Sequence, residues 1–265
     1  NILNKKIMFV CTDIIPGKGH VTDKEIQQEL KSQHKHTKVK NVRALIHKSK
    51  IWKLKILNVK FLEGLSYEKV WVEKVIKEKF EPHLGIKFNF HPKETDPEHI
   101  VITFRGHKGT YSYIGTDSLN KKTEETMNLA WVDPPKGSFE YKGETYKVPK
   151  HAKRNGNYVG ATILHEFGHA IGLVHEHKHP THPIKWDIDK VYEKYKGAPN
   201  FWSKDKIKSQ FIDRYNEKEV NGSKYDKHSI MLYFFPAELT LDGTLMKPNY
   251  KLSETDKEIM SKYYP

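Results

Sequence analysis

His165-Glu166-Phe167-Gly168-His169-Ala170-Ile171-Gly172-Leu173-Val174-His175-Glu176 has the form HExxHxxGxxHE. On a helix, the four-residue spacing sets His165 and His169 on one face, one turn apart, so both imidazoles reach one metal ion. Glu166 projects beside the metal rather than onto it, where its carboxylate can take a proton from an activated water. Gly172 accepts the left-handed conformation that ends a helix and turns the chain, which then delivers His175 as a third ligand. Three histidines and an open position describe catalytic zinc, Zn2+, rather than structural zinc. A bare HExxH is also explained by helix histidines on a solvated face. The glycine and third histidine at fixed offsets do not fit that explanation.

The 265 residues suffice for one large domain or two subdomains, and 37% apolar with 30% charged residues is a globular composition. The longest apolar runs, such as residues 100–104, are too short to span a bilayer, so no membrane partner is expected. The chain starts at Asn1 without a visible signal peptide, which reads as a trimmed chain. The net charge of +13 comes from scattered lysines, and no nucleic-acid motif accompanies them. This is the pattern of a solvated basic surface, and no nucleic-acid partner is expected. The single cysteine, Cys11, excludes an intramolecular disulfide.

Outward from the motif, residues 158–173 are expected to form the zinc helix, preceded by strands at 51–61, 86–90, 100–104, 111–115 and 127–132. Ser66 is expected to cap a helix running to about Phe80, and Lys142-Gly143 to turn a hairpin over 139–148. After His175 the chain becomes loop-rich, and His177, His179 and His182 read as solvated loop residues rather than as a second metal site. Short helices are expected over 188–195, over 203–215 with Ser203 as cap, and over 254–263 with Ser253 as cap. Residues 32–43 are polar and basic, as an exposed, protease-accessible linker is.

The motif down to Glu176 resembles the zinc motif of the astacin family of metzincins. Tyr225-Asp226-Lys227-His228-Ser229-Ile230-Met231-Leu232-Tyr233 resembles that family's SxMxY Met-turn, with Met231 placed 56 positions after His175. Ser112-Tyr113-Ile114-Gly115 is similar to its substrate-binding edge strand, and Trp52 stands where the family has a tryptophan near the start of the mature enzyme. The resemblance implies an α+β zincin, with a mixed sheet and zinc helix in an upper subdomain (44–175) and an irregular, partly helical lower subdomain (176–265). It implies a secreted zinc endopeptidase acting on protein or peptide substrates. Met231 would form a hydrophobic base under the ligands. Tyr233 would be a switchable fifth zinc ligand that stabilises the oxyanion. Tyr111, Ser112 and Tyr113 would pair with the extended substrate. Glu176 would bind the new N-terminus after processing.

The chain departs from the animal members of the family in having no disulfides, which implies a bacterial branch. Residues 1–43 would be a pro-segment removed by an activating protease, but the family's FxGD-type switch reads here as Phe9-Val10-Cys11-Thr12-Asp13. Zinc binds thiolate well, so Cys11 is expected to fill the open zinc position, as in the cysteine switch of matrix metalloproteases. Asp13 in that role, or Cys11 as a structural residue, are the alternatives. A catalytically silent zinc-binding module and a polyanion binder are the competing functions. Retention of Glu166 speaks against the first, and the motifs give no support to the second.

Overall fold

The computed structural model describes residues 45–121, 123–152, 159–198, 200–221 and 224–265. Cys11, Asp13 and the expected pro-segment lie outside them. In chain order the elements are β1 (Ile46–His47), β2 (Ile56–Phe61), α1 (Ser66–Lys79), β3 (Lys87–Asn89), β4 (Ile100–Thr103), β5 (Tyr111–Ser112) and β6 (Met127–Asn128). There follow β7 (Gly137–Tyr141), β8 (Glu144–Val148), α2 (Ala161–Ala170), α3 (Ile188–Lys196), α4 (Lys204–Ile207), β9 (Val220–Asn221) and α5 (Glu254–Tyr263). No described helix is long and apolar enough to cross a membrane.

A mixed sheet in the order β3-β2-β4-β6-β5 organises the first half, parallel except for the antiparallel edge strand β5. Every residue of β4 is buried, as expected for a central strand covered on both faces. Helices α1 and α2 pack together, and β5 lies beside α2. The hairpin β7–β8 turns at Lys142-Gly143, both with positive φ.

Several boundaries differ from the sequence expectation, each for a local reason. The first long strand begins at Ile56, not at residue 51, because Trp52 leaves the sheet and donates its indole N–H to the Ala170 carbonyl at 2.8 Å. Leu65, not Ser66, precedes the helix, and its N–H is taken up by the Glu68 carboxylate at 2.8 Å. The edge strand stops at Ser112 and a 3-10 turn starts at Gly115, whose φ is +49°. A side chain on Gly115 would collide with the Lys50 carbonyl, so the chain must turn there. Strand β6 is cut to two residues. Asn128 is wholly buried, and its side chain holds the Arg105 carbonyl at 2.9 Å, the Arg105 N–H at 2.9 Å and the Thr103 hydroxyl at 2.7 Å. The helix capped by Ser203 loosens after Ile207 into a π-helical turn, Lys208–Ile212. Ser253 caps α5 as expected, with Asp256 completing the capping box.

Two main cores result. The larger runs through the sheet, α1 and α2, and takes in Ile230, Met231, Leu252, Ile259, Met260 and Tyr264 from the end of the chain. The smaller lies within residues 184–246 and is largely aromatic.

Candidate active site

Helix α2 is shorter than the sequence pattern implies, because glycines bound it. Gly160 has a φ of +78° and lies so close to Val75 that a Cβ would sit 2.9 Å from its methyl. Gly172, at φ +98°, ends it as expected. The Leu173 N–H reaches the Gly168 carbonyl at 2.9 Å and the Gly172 N–H the His169 carbonyl at 2.8 Å, the pairing of a Schellman cap. Carbonyls left over at this end are taken by side chains distant in sequence. Trp52 bonds Ala170, and the Tyr264 hydroxyl donates to Ile171.

His165, His169 and His175 are all buried, and one nitrogen from each lies within 4.8 Å of the others. Nε2 of His175 is 3.3 Å from Nε2 of His165 and 3.0 Å from Nε2 of His169. Nδ1 of His165 is 2.8 Å from the Ile230 carbonyl, and Nδ1 of His169 is 3.0 Å from the Leu173 carbonyl. A carbonyl only accepts, so both Nδ1 atoms carry the proton and both Nε2 lone pairs point inward. Lone pairs facing each other at this range repel unless a cation lies between them. Zn–N bonds of 2.0–2.1 Å in a tetrahedral set put neighbouring nitrogens about 3.3–3.4 Å apart, so the three residues fit zinc.

Met231 is buried under α2, and its sulfur occupies the space that a Cβ on Gly168 would need, at 2.5 Å. The Met231 carbonyl accepts the Glu176 N–H at 3.1 Å, which ties the Met-turn to the segment that delivers His175. Tyr233 is half-buried; its ring centre is 4.3 Å from that of His175, and it stacks on His165 at 5.4 Å. Glu166 is almost wholly buried on the same helix as the first two ligands. Beside α2, Tyr111 and Ser112 form the sheet edge, and Tyr113 follows, its N–H bonded to the Thr126 carbonyl at 2.8 Å. The Tyr111 hydroxyl donates to buried Glu125, so that side chain is committed to the sheet.

Glu176 is fully buried. One oxygen accepts the Asp226 N–H at 2.7 Å, and the other has no hydrogen-bond partner among the described residues. Burial, with Asp256 and Asp226 nearby, pushes its carboxyl well above the usual range.

His177, His179 and His182 are not solvated, contrary to the sequence expectation; all three are buried. His177 donates from Nε2 to the Gln210 carbonyl at 2.7 Å and stacks on Tyr233 at 5.2 Å. His179 and His182 accept the N–H groups of Thr181 and Ile184 at 3.0 and 3.1 Å, as neutral imidazoles can. Burial and Arg214 lower His179 to about 4 and hold His182 well below its ordinary value. Sequence reasoning named Ser229 as part of the Met-turn without giving it a role and missed Asp256, which bonds both Ser229 and Ile230. The signal was the capping box after Ser253, visible as S-x-x-D.

A scan against protein-family models and a search of curated proteins give no match. Among solved structures the chain is similar to one of myroilysin, at 32% identity and a TM-score of 0.70, over 84% of this chain and 98% of that one. A second myroilysin structure matches at 32% identity and a TM-score of 0.55, over 82% and 87%. High choriolytic enzyme 1, a hatching-enzyme zinc-protease of the medaka Oryzias latipes, aligns at 19% identity with a TM-score of 0.45, over 80% and 92%, too loosely to add weight. Shared sequence over nearly the whole of myroilysin, joined to three converging imidazoles that fit Zn2+, places this chain in the astacin family of metzincin zinc endopeptidases.

Proposed function

We propose that the protein is a secreted endopeptidase made in latent form, with residues 1–43 as pro-segment and residues 44–265 as catalytic domain. The observation that carries the catalytic reading is the convergence of three buried imidazoles, with the Nδ1 atoms of His165 and His169 held by the Ile230 and Leu173 carbonyls. Zinc bound there supplies a Lewis acid that polarises the scissile carbonyl and lowers the pKa of water. Glu166 takes the proton of the attacking water and returns it to the leaving amine. Tyr233, stacked on His165 and tilted against His175, swings its phenol to donate to the developing oxyanion. The substrate lies extended along Tyr111, Ser112 and Tyr113, adding a strand to the free edge of the sheet. Met231 packs under the ligands and limits their movement.

In the latent chain Cys11 fills the open zinc position as thiolate, with Asp13 as the alternative blocking ligand. An activating protease cuts near Arg43-Ala44, and Glu176 receives the new ammonium group. Two observations support that role for Glu176. Its second oxygen lacks a partner among the described residues, and an unpaired buried carboxylate is costly. The Leu45 carbonyl accepts the Val174 N–H at 3.1 Å, so the start of the described chain runs two positions from Glu176.

Metal analysis, N-terminal sequencing and peptide hydrolysis, followed before and after trypsin treatment, test the proposal. The expected outcome is one zinc per chain, and hydrolysis that appears only after cleavage close to residue 43. Absence of zinc or of any hydrolysis would defeat the catalytic reading. An intact Cys11→Ala chain should hydrolyse peptide without processing; if it stays as inactive as the parent, the cysteine switch is wrong.

A further inference from the structure

Asp256 lies at the start of α5, fully buried, and no basic side chain pairs with it among the described residues. Its Oδ1 accepts the Ser229 hydroxyl at 2.7 Å, and its Oδ2 accepts the N–H of Ile230 at 2.8 Å and that of Ser253 at 2.9 Å. A capping box requires only the last of these. The other two reach the Met-turn, and one of them continues.

The Ser229 oxygen accepts the Met231 N–H at 3.0 Å. That N–H belongs to the same peptide unit as the Ile230 carbonyl, which accepts the His165 Nδ1 proton at 2.8 Å. The path is unbroken: imidazole N–H to carbonyl, through the amide to its N–H, to the serine hydroxyl, to the carboxylate. Every donor in it points the same way, toward Asp256. Hydrogen bonds chained in this direction polarise one another, and low local dielectric strengthens the effect. Negative charge at the far end makes the Ile230 carbonyl a better acceptor, and so makes Nε2 of His165 a better metal donor.

We propose that Asp256 is a positioning residue for the zinc ligand His165, acting through Ser229 and the Ile230–Met231 peptide as an extended carboxylate–histidine relay. It rests on the zinc reading given under Proposed function. It adds a role for two residues that touch neither metal nor substrate. Burial raises Asp256 to about 6, so near neutral pH the relay ends on a carboxylate. The Ile230 N–H bond to the second oxygen fixes the turn while the first oxygen carries the relay. His169 ends on the Leu173 carbonyl of its own helix cap, so the two ligands of the helix differ in what stands behind them.

The test compares three variants of the full chain: Asp256→Asn, Ser229→Ala and Ser253→Ala. Ser229→Ala cuts the relay but keeps the charge and the helix cap. Ser253→Ala removes the cap hydroxyl and leaves the relay whole. Zinc dissociation constants are measured by chelator competition, and the His165 ring N–H is followed by NMR. Outer partners of metal ligands are typically worth about 10–100-fold in affinity. Asp256→Asn should therefore weaken zinc by about 10-fold or more and Ser229→Ala by several-fold, each shifting the His165 ring proton. Ser253→Ala should stay within about twofold, with the resonance unmoved. If Asp256→Asn does not fold, the serine pair decides. Unchanged zinc affinity and ring proton in Ser229→Ala would overturn the relay, and so would an equal loss in Ser253→Ala, which would mark a general loosening of α5. Failure of the parent chain to bind zinc would instead overturn the zinc reading itself.

Discussion

The two main cores of this protein solve different problems. The larger is built from a sheet and helices, so its backbone is satisfied by repetition and its side chains are free to be apolar. The smaller, within 184–246, is built from short helices and loops without a sheet of its own and is held by rings: Trp186 on Phe235 at 4.8 Å, Tyr195 on Phe211 at 4.2 Å. His165 and His169 stand on a helix of the larger core. Tyr233 packs on the smaller, and His177 touches both sides, stacking on His175 and Tyr233 while meeting Phe211 and Phe235. The contrast teaches a division of labour. Helical repetition sets the metal ligands, and aromatic packing sets the residue that approaches them.

That division can be broken by experiment. The largest effect is expected from Glu166→Gln, on the larger core's helix. Loss of a general base costs about 10²–10⁴-fold in rate. Zinc content should not change, since the ligands are untouched; loss of the metal would show that Glu166 is needed to build the site. Next, Phe211→Ala removes the centre of the aromatic core and should lower stability by about 3–5 kcal/mol in denaturant titration. Zinc affinity in the fraction that remains folded should stay near that of the parent. A matching fall in zinc affinity would mean that the cores are not separable.

The loop that follows the third ligand should be acid-sensitive. His179 is held down to about 4 in the folded state. Its contribution is present above the unfolded value of about 6.5 and is lost as pH falls toward 4. Asp256, raised to about 6, acts oppositely: its contribution is present at low pH and lost as pH rises through 6. Comparing the parent with His179→Gln at each pH isolates the histidine. The stability difference should change by up to about 3 kcal/mol between pH 6.5 and 4. A pH-independent difference would remove His179 as the cause. The smallest effect is expected at Gly168→Ala, where the new methyl meets a flexible methionine sulfur. Overpacking there should cost about 1–3 kcal/mol, with some loss of zinc affinity as Met231 is displaced. A variant as stable as the parent would mean that Met231 moves aside freely.

How far the sequence could be read follows the same line. The zinc motif was legible because helix periodicity and a glycine stop are local. So were the Lys142-Gly143 hairpin and the caps at Ser203 and Ser253. The strand over 51–61 was overdrawn because alternation alone cannot show that Trp52 turns away to bond Ala170, 118 positions later. His177, His179 and His182 looked solvated because their neighbours are polar. They are buried with backbone groups as hydrogen-bond partners, and composition carries no sign of that. Asp256 was visible as half of a capping box, but its other bonds reach residues 229 and 230, which no local pattern predicts.

The closing of α2 by Trp52 and Tyr264 has a consequence for biosynthesis. Trp52 precedes the carbonyl it bonds by 118 positions, and Tyr264 follows its own by 93. Asp256, which holds the Met-turn, is also made after the whole zinc motif. A nascent chain still in the ribosome has translated the whole zinc motif but lacks α5 and Tyr264. Its histidines would have no Met-turn fixed behind them, and the end of their helix would be open. The metal site is completed only once α5 has been made, so its assembly lags behind synthesis of the motif that carries the three ligands.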